Sequence, residues 1–195
     1  MRFIGNKENL VEKIYQIMQS KNIIGNSFFD FFAGTTNVGK FFKKLNYQVF
    51  SSDLLYFSYV LQRAYIQNNQ TFTFEKLINK LNLKSKALFA SPMHIVVDYL
   101  NSLEIKEGFV YQNYTPEGTA DLPQPRMYYS NENGKIIDTI RIEIENLKTK
   151  ELITEEEYFV LLACLIETVP FYANVSGVYA AFQNNGIRGQ LRKWN

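Results

Sequence analysis

Residues 28–39 open with Phe28-Phe29-Asp30-Phe31-Phe32, break at Ala33-Gly34-Thr35-Thr36-Asn37 and resume an apolar period at Val38. A second apolar run, 48–52, closes on Asp53. Four phenylalanines in five residues are too apolar to alternate and read as a buried strand. Small and polar residues then mark a turn. Val38, Phe41, Phe42 and Leu45 follow at helical spacing, and Asn46-Tyr47 turns into the strand 48–52. A strand, a tight turn, a helix and a second strand form a βαβ unit with parallel strands. Asp53 lies about 20 residues after Gly34, the interval at which a second-strand acid reaches the hydroxyls of a ribose. An ordinary crossover whose acid caps the next helix meets the same spacing.

The flanking pattern extends this unit. Leu10, Val11, Ile14, Ile17 and Met18 form a first helix that begins after Gly5-Asn6 and stops near Asn22, and 54–67 forms another amphipathic helix. After Asn69 the character becomes helical. Segments 74–81 and 95–103 read as helices, and 109–125, with Pro116, Gly118, Pro123 and Pro125, as an extended loop. Ile136, Ile137, Ile140, Ile144 and Leu147 give an amphipathic helix. Thr154 with Glu157 is a capping-box pattern ahead of the next helix, and Pro170 marks that helix's end or kink. Glu155, Glu156 and Glu157 sit in its first turn, where acids favour the dipole, and do not read as a catalytic pair.

Composition removes several chemistries. The 195 residues carry one cysteine (Cys164) and one histidine (His94), which excludes an intramolecular disulfide, a thiolate zinc site and a His-pair metal motif. A net charge of +2 does not by itself announce nucleic-acid binding. No apolar run spans a membrane and the N-terminal residues lack the form of a signal peptide, so a cytoplasmic protein without membrane association is expected.

The N-terminal residues sharpen the reading. Phe3-Ile4-Gly5-Asn6-Lys7, an amphipathic helix, Asp30-x-Phe32-Ala33-Gly34-Thr35 and then Ser52-Asp53 together resemble the Dam-like adenine-specific DNA methyltransferases. The likeness continues through Tyr111-Gln112-Asn113-Tyr114-Thr115-Pro116, Arg126-x-Tyr128-Tyr129-Ser130-x-x-Asn133, Ile137-Asp138-x-Ile140-Arg141 and Asn174-x-x-Gly177-x-Tyr179-x-Ala181-Phe182, as in the restriction–modification branch.

The resemblance implies a Rossmann-like, S-adenosylmethionine-dependent α/β fold with an incomplete parallel sheet and a largely helical insertion. Residues 1–70 would be the cofactor-binding half and 71–195 the mainly helical segment, a candidate DNA-recognition region. Lys7 would pair with the methionine carboxylate of S-adenosylmethionine, with a solvated helix-start cation as the alternative. Phe3 would pack beside the cofactor, the turn of Ala33, Gly34, Thr35, Thr36 and Asn37 would admit its methionine portion, and Phe32, at the end of the strand, is a further cofactor-binding candidate. Asp53 would accept from both ribose hydroxyls. Asp30 would either orient the loop through backbone bonds or touch the cofactor's amino group. Arg126, Tyr128, Lys135 and Arg141 are the candidate contacts to double-stranded DNA, with loop anchor and solvated helix face as the alternative. The basic segment 186–194 reads as a solvated terminus.

Two departures stand out. The family carries Gly where this chain has Thr36, and a Cβ there would crowd the cofactor or oppose a positive φ, or be tolerated where that glycine is not conformationally required. The larger departure concerns catalysis. The family polarises a poorly nucleophilic exocyclic amine with an Asp-Pro-Pro-Tyr type motif, and this sequence holds no Pro-Pro pair. Family order places that motif after 174–182, so no catalytic residue is assigned here. The expected function is the cofactor-binding portion of an adenine-specific DNA methyltransferase, completed by a second polypeptide and paired with a cognate restriction endonuclease. A non-catalytic remnant and a DNA-binding module are the alternatives. One edge of the two-strand unit would then be open and apolar.

Overall fold

A computed structural model describes residues 5–84, 89–175, 179, 181 and 182. The chain divides into two compact units, Met1–Gln70 and Thr71–Asn195.

In the first unit a short 3-10 turn, Glu8–Leu10, leads into helix α1, Val11–Ser20. Strand β1 is Ser27–Asp30, helix α2 is Asn37–Lys44 and strand β2 is Gln48–Ser51. β1 and β2 pair in parallel, with Phe28 opposite Val49, Phe29 opposite Phe50 and Asp30 opposite Ser51. Helix α3, Tyr56–Leu61, continues as a π-helical turn, Gln62–Gln67. The Lys43 ammonium donates to the carbonyls of Tyr65 (2.9 Å), Ile66 (2.8 Å) and Asn68, closing the end of that turn on α2. Burial pushes the Lys43 pKa down.

Phe42 is the centre of this unit. It is fully buried, stacks on Phe28 at 3.8 Å and meets Tyr47 and Tyr15 edge-on. Gly39 lets the helix approach this closely: a Cβ there would lie 2.9 Å from Ile66 Cδ1 and 3.4 Å from Val49 Cγ1. The periodicity of 38–45 therefore has a packing cause, the apolar face of α2 against β1, β2 and the π-helical turn.

The strand expected at 28–32 is shorter than the apolar run and is not buried throughout. Phe28 and Asp30 point under α2, while Phe29 lies 55% exposed on the other face and Phe31 and Phe32 belong to the turn. Apolar composition on both faces anticipated two covering layers, and this unit places a layer on one.

In the second unit α4 is Glu75–Lys80, α5 Pro92–Asn101, α6 Phe109–Tyr114, α7 Asn131–Thr149 and α8 Glu155–Tyr172. α7 packs on α8 and on α6, burying Ile137, Ile140, Ile144 and Leu147 with Phe159, Leu162 and Leu165. Ser91, Ser130 and Thr154 cap α5, α7 and α8. The capping box is present in both directions, Glu157 N to Thr154 Oγ1 at 3.2 Å and Thr154 N to Glu157 Oε2 at 2.9 Å. The other carboxylate oxygen of Glu157 accepts from Phe74 N at 2.6 Å, so the same side chain ties α4 to α8.

One expectation for this unit is corrected. The segment 109–125 is not extended throughout, because 109–114 is helical. Its first turn is held by the buried Asp138 of α7, whose oxygens accept from Val110 N (2.9 Å) and Tyr111 N (2.7 Å). A cap supplied from 28 residues downstream leaves no local signal. Pro170 stands inside α8, which ends two residues further on at Tyr172. Among the described residues no helix is long and apolar enough to cross a membrane.

Candidate functional site

The sequence candidates of the first unit converge at the C-terminal ends of β1 and β2. Strand pairing carries on past Asp30 through Ser52 N to Asp30 O and Ala33 N to Ser52 O, both 3.0 Å. The chain then turns sharply. Gly34 has φ +49° and Thr36 φ +61°, both left-handed, and Thr36 N donates to Ala33 O at 2.7 Å. This double reversal presents α2 by its N-terminus, where the first backbone N–H groups have no helical acceptor. A Cβ added at Gly34 would meet nothing within 4 Å, so the loop backbone there faces open space.

Asp53 sets the loop's shape. Its Oδ2 accepts from Gly34 N (2.8 Å) and its Oδ1 from Leu55 N (2.9 Å). Desolvation pushes its pKa up. Bonds from the Leu55, Gly34 and Leu54 backbones and the nearby Lys7 charge outweigh that and hold the carboxyl below its ordinary value.

Asp30 has the opposite environment. It is 8% exposed, and its Oδ2 has no hydrogen-bond partner among the described residues. Burial raises its pKa, with Asp53 adding to the rise, against the Lys7 charge and a hydrogen bond from the Gly39 backbone. A buried carboxylate oxygen left unpaired is costly and therefore uncommon. The pair thus splits into a well-satisfied acid on the rim and a half-satisfied acid beneath it.

The segment Gly5-Asn6-Lys7 lies against this loop. Asn6 Oδ1 accepts from Glu8 N at 2.9 Å and from Asn37 Nδ2, and Lys7 Nζ donates to Phe32 O at 3.4 Å. Gly5 takes φ +83°, a turn that most side chains resist. Gly5, Lys7, Ala33, Gly34, Thr35 and Asn37 bound a recess of about 20 Å³, room for about one water. Anything larger bound here would lie across the open side of the loop.

Lys7, Asp30, Ala33, Gly34, Thr35, Thr36, Asn37 and Asp53 are therefore neighbours, as the sequence pattern anticipates. Ala33, Thr35 and Thr36 are buried, whereas Phe32 is 75% exposed. Phe3 lies outside the described residues, as does the segment 186–194. Thr36 is fully buried, with its hydroxyl donating to Thr35 O at 2.7 Å. Its side chain is part of the protein interior rather than an obstruction over the loop. Sequence reasoning missed Asn6 as the link to α2. Its signal was an Asn two residues before an acid at a helix start, the pattern of an Asx turn.

The second unit treats its candidates differently. Arg126 Nη1 donates to Asn113 O (3.0 Å), and its backbone N donates to Thr119 Oγ1 (2.7 Å). The Tyr128 ring packs against Tyr114, Tyr179 and Phe182. Lys135 pairs with Glu107 at 2.7 Å and sits over the Tyr111 ring, and Arg141 pairs with Glu145 at 2.7 Å. Each of the three cationic heads thus has an intramolecular partner. The motif segments also bind one another: Tyr129 N donates to Tyr114 O, Asn174 N to Tyr128 O, and the Tyr129 and Tyr179 hydroxyls share a 2.7 Å hydrogen bond. Among the described residues no group of three or more His, Cys, Asp or Glu is placed to hold a metal ion.

Comparison with known proteins identifies the family. A family model described as D12 class N6 adenine-specific DNA methyltransferase matches residues 3–193. The type II methyltransferase M.FokI of Planomicrobium okeanokoites is 41% identical over 198 residues, spanning 99% of this chain and 28% of its own length. The modification methylase StsI of Streptococcus sanguinis is 41% identical, over 93% of this chain and 26% of its own. The type II methyltransferase M.NlaIII of Neisseria lactamica is 37% identical, over 98% of this chain and 52% of its own. The chain thus spans from about a quarter to about half the length of these relatives. No solved structure matches it.

Proposed function

The chain belongs to the D12 class N6 adenine-specific DNA methyltransferases, and we propose that it supplies the S-adenosylmethionine-holding part of such an enzyme. The full reaction, methyl transfer to the exocyclic amine of adenine in a specific site of double-stranded DNA, would be completed by a second polypeptide bearing the Asp-Pro-Pro-Tyr type motif. We place that activity in the cytoplasm, alongside a cognate restriction endonuclease, on a Rossmann-like sheet of which residues 1–70 form the cofactor half.

The observation that carries this reading is the pair Asp30 and Asp53 around the Gly34 loop. A buried carboxylate oxygen without a partner, beside open backbone and a lysine, fits a ligand with a cationic amino group and a carboxylate. Asp30 Oδ2 would accept from the amino group, Lys7 would meet the carboxylate, and the rim acid Asp53 would use its remaining lone pairs on ribose hydroxyls. S-adenosylmethionine carries these groups and supplies, when bound, a sulfonium methyl as the electrophile. The residues named here bind and orient the cofactor. Phe32, exposed at the loop's edge, would flank the adenine, and Phe3 would add to it. Residues 71–195, with Arg126, Tyr128, Lys135 and Arg141, would contact DNA, the cations exchanging their present partners for phosphate.

Calorimetry with S-adenosylmethionine tests the reading. Saturable heat is expected for the wild type and its loss for Lys7→Ala and Asp53→Ala. No saturable heat with the folded wild type rejects it.

A further inference from the structure

Lys7 reaches the Gly34 loop from a separate stretch of chain, and its own hold there is slight. Its ammonium stands 3.4 Å from Phe32 O, beyond the usual range of an N–H···O bond. A lysine head rides on a flexible four-carbon stem, so its charge stays over one spot only if its Cα is fixed. The helix that follows does little to fix it. α1 has no buried residue, and its ring contact with α2 is made by Tyr15, which meets Phe41 and Phe42 edge-on well beyond Lys7. The start of the helix needs a nearer tie.

Asn6 supplies it. Asn6 Oδ1 accepts from Glu8 N at 2.9 Å, an Asx turn that spans Lys7 and sets the backbone on both sides of it. Lys7 O then accepts from Leu10 N at 2.8 Å and opens the 3-10 turn. The same Asn6 Oδ1 accepts from Nδ2 of Asn37, the first residue of α2 and the end of the Gly34 loop. One oxygen therefore clasps the turn that carries Lys7 and the loop that Lys7 serves. Its two lone pairs take the two donors. A neutral amide does this without setting a second negative charge beside the ammonium, which a carboxylate in its place would draw onto itself. The Lys7 charge lowers the pKa of both Asp30 and Asp53, and Lys7 bounds the same recess as Gly34 and Asn37, so the head lies among the groups of the site.

We propose that Asn6 is a positioning residue of the cofactor site: with Asn37 it locks the turn bearing Lys7 to the start of α2, and so holds the ammonium where the cofactor's carboxylate lies. The inference rests on the functional reading above and adds to it the residue that makes Lys7 effective. Asn6 acts through Lys7 rather than on the cofactor, so its effect is selective. Without it the hold on the carboxylate is lost, while the amino group on Asp30 and the ribose on Asp53 keep theirs.

Decarboxylated S-adenosylmethionine, which retains the sulfonium, the amino group and the ribose, is the probe beside S-adenosylmethionine itself, both by calorimetry on the full chain. Asn6→Ala and Asn37→Ala are each expected to weaken S-adenosylmethionine at least tenfold and the decarboxylated form less than threefold, the pattern that Lys7→Ala sets. In the free protein Asn37→Ala should speed exchange of the Glu8 amide at least threefold, because its acceptor Asn6 loses the anchor on α2. Equal weakening of both cofactors by Asn6→Ala, or unchanged affinity for S-adenosylmethionine, overturns the proposal. So does Glu8 exchange that is indifferent to Asn37→Ala. Failure of the functional reading looks different: the wild type binds neither cofactor, or Lys7→Ala weakens both alike, while Asn37→Ala still speeds Glu8 exchange. That result rejects the reading and the role of Asn6 with it, and leaves the tie to α2 as structure alone.

Discussion

Thr36 offers a sharp test of how this loop is built. A β-branched residue at φ +61° is a conformational outlier, held here because α2 can start only after the second reversal of the chain. Its left-handed backbone costs about 1–2 kcal/mol. The side chain repays part of that. The hydroxyl bond to Thr35 O contributes about 1 kcal/mol, and the buried methyl about 0.8 kcal/mol. Thr36→Gly removes the strain but also both side-chain contributions, and adds about 0.5–1 kcal/mol of backbone entropy, so it should lower stability by about 1 kcal/mol. Thr36→Ala loses the same hydroxyl and methyl while keeping a Cβ at positive φ. Glycine should therefore exceed alanine in stability by about 1 kcal/mol, roughly fivefold in an opening equilibrium.

The readout is local, because two compact units need not unfold together. The amide of Lys40 donates to Thr36 O at 2.8 Å and reports opening of this corner by hydrogen exchange. Slower exchange in Thr36→Gly than in Thr36→Ala is expected. Equal or better protection in the alanine variant refutes the assignment of strain. Since Thr36 is fully buried, Thr36→Gly should also leave S-adenosylmethionine affinity within about threefold of wild type.

Other outcomes follow from the same geometry. Asp30→Asn keeps an oxygen for the Gly39 backbone N–H and removes a buried charge, so thermal stability at pH 7 should not fall while S-adenosylmethionine affinity drops at least tenfold in calorimetry. Asp138→Ala strips two part-buried N–H groups of their acceptor and should cost about 2–3 kcal/mol in urea unfolding of the second unit, with loss of helix at 109–114. For Asp53 the folded pKa lies below the unfolded value. Its contribution to the loop is therefore complete above the ordinary carboxylate range and is lost as pH falls through the folded value. NMR titration should show the Gly34 amide shifting in step with that protonation, and Asp53→Asn should abolish the coupling.

Much of this molecule is legible in one dimension because its causes are local. The α2 pattern, the turn at Gly34, the Thr154 capping box and the interval to Asp53 each depend on residues near one another in sequence. Read together with Gly5-Asn6-Lys7, they indicate both the α/β class and the family. Helix 109–114 was not legible, since its cap comes from Asp138 on another helix, whereas Pro170 lies in the last turn of α8. Composition alone could not say that 28–32 is bare on one face: apolarity states that a strand requires cover, not that its own unit provides it. Tertiary structure also decided the difference between two acids of the same type. Asp53 is satisfied by three backbone N–H groups on the rim, whereas Asp30 is buried with one oxygen unpaired. Sequence determined which residues gather at the loop; only burial and hydrogen bonding in three dimensions determined which of them still has a bond to give.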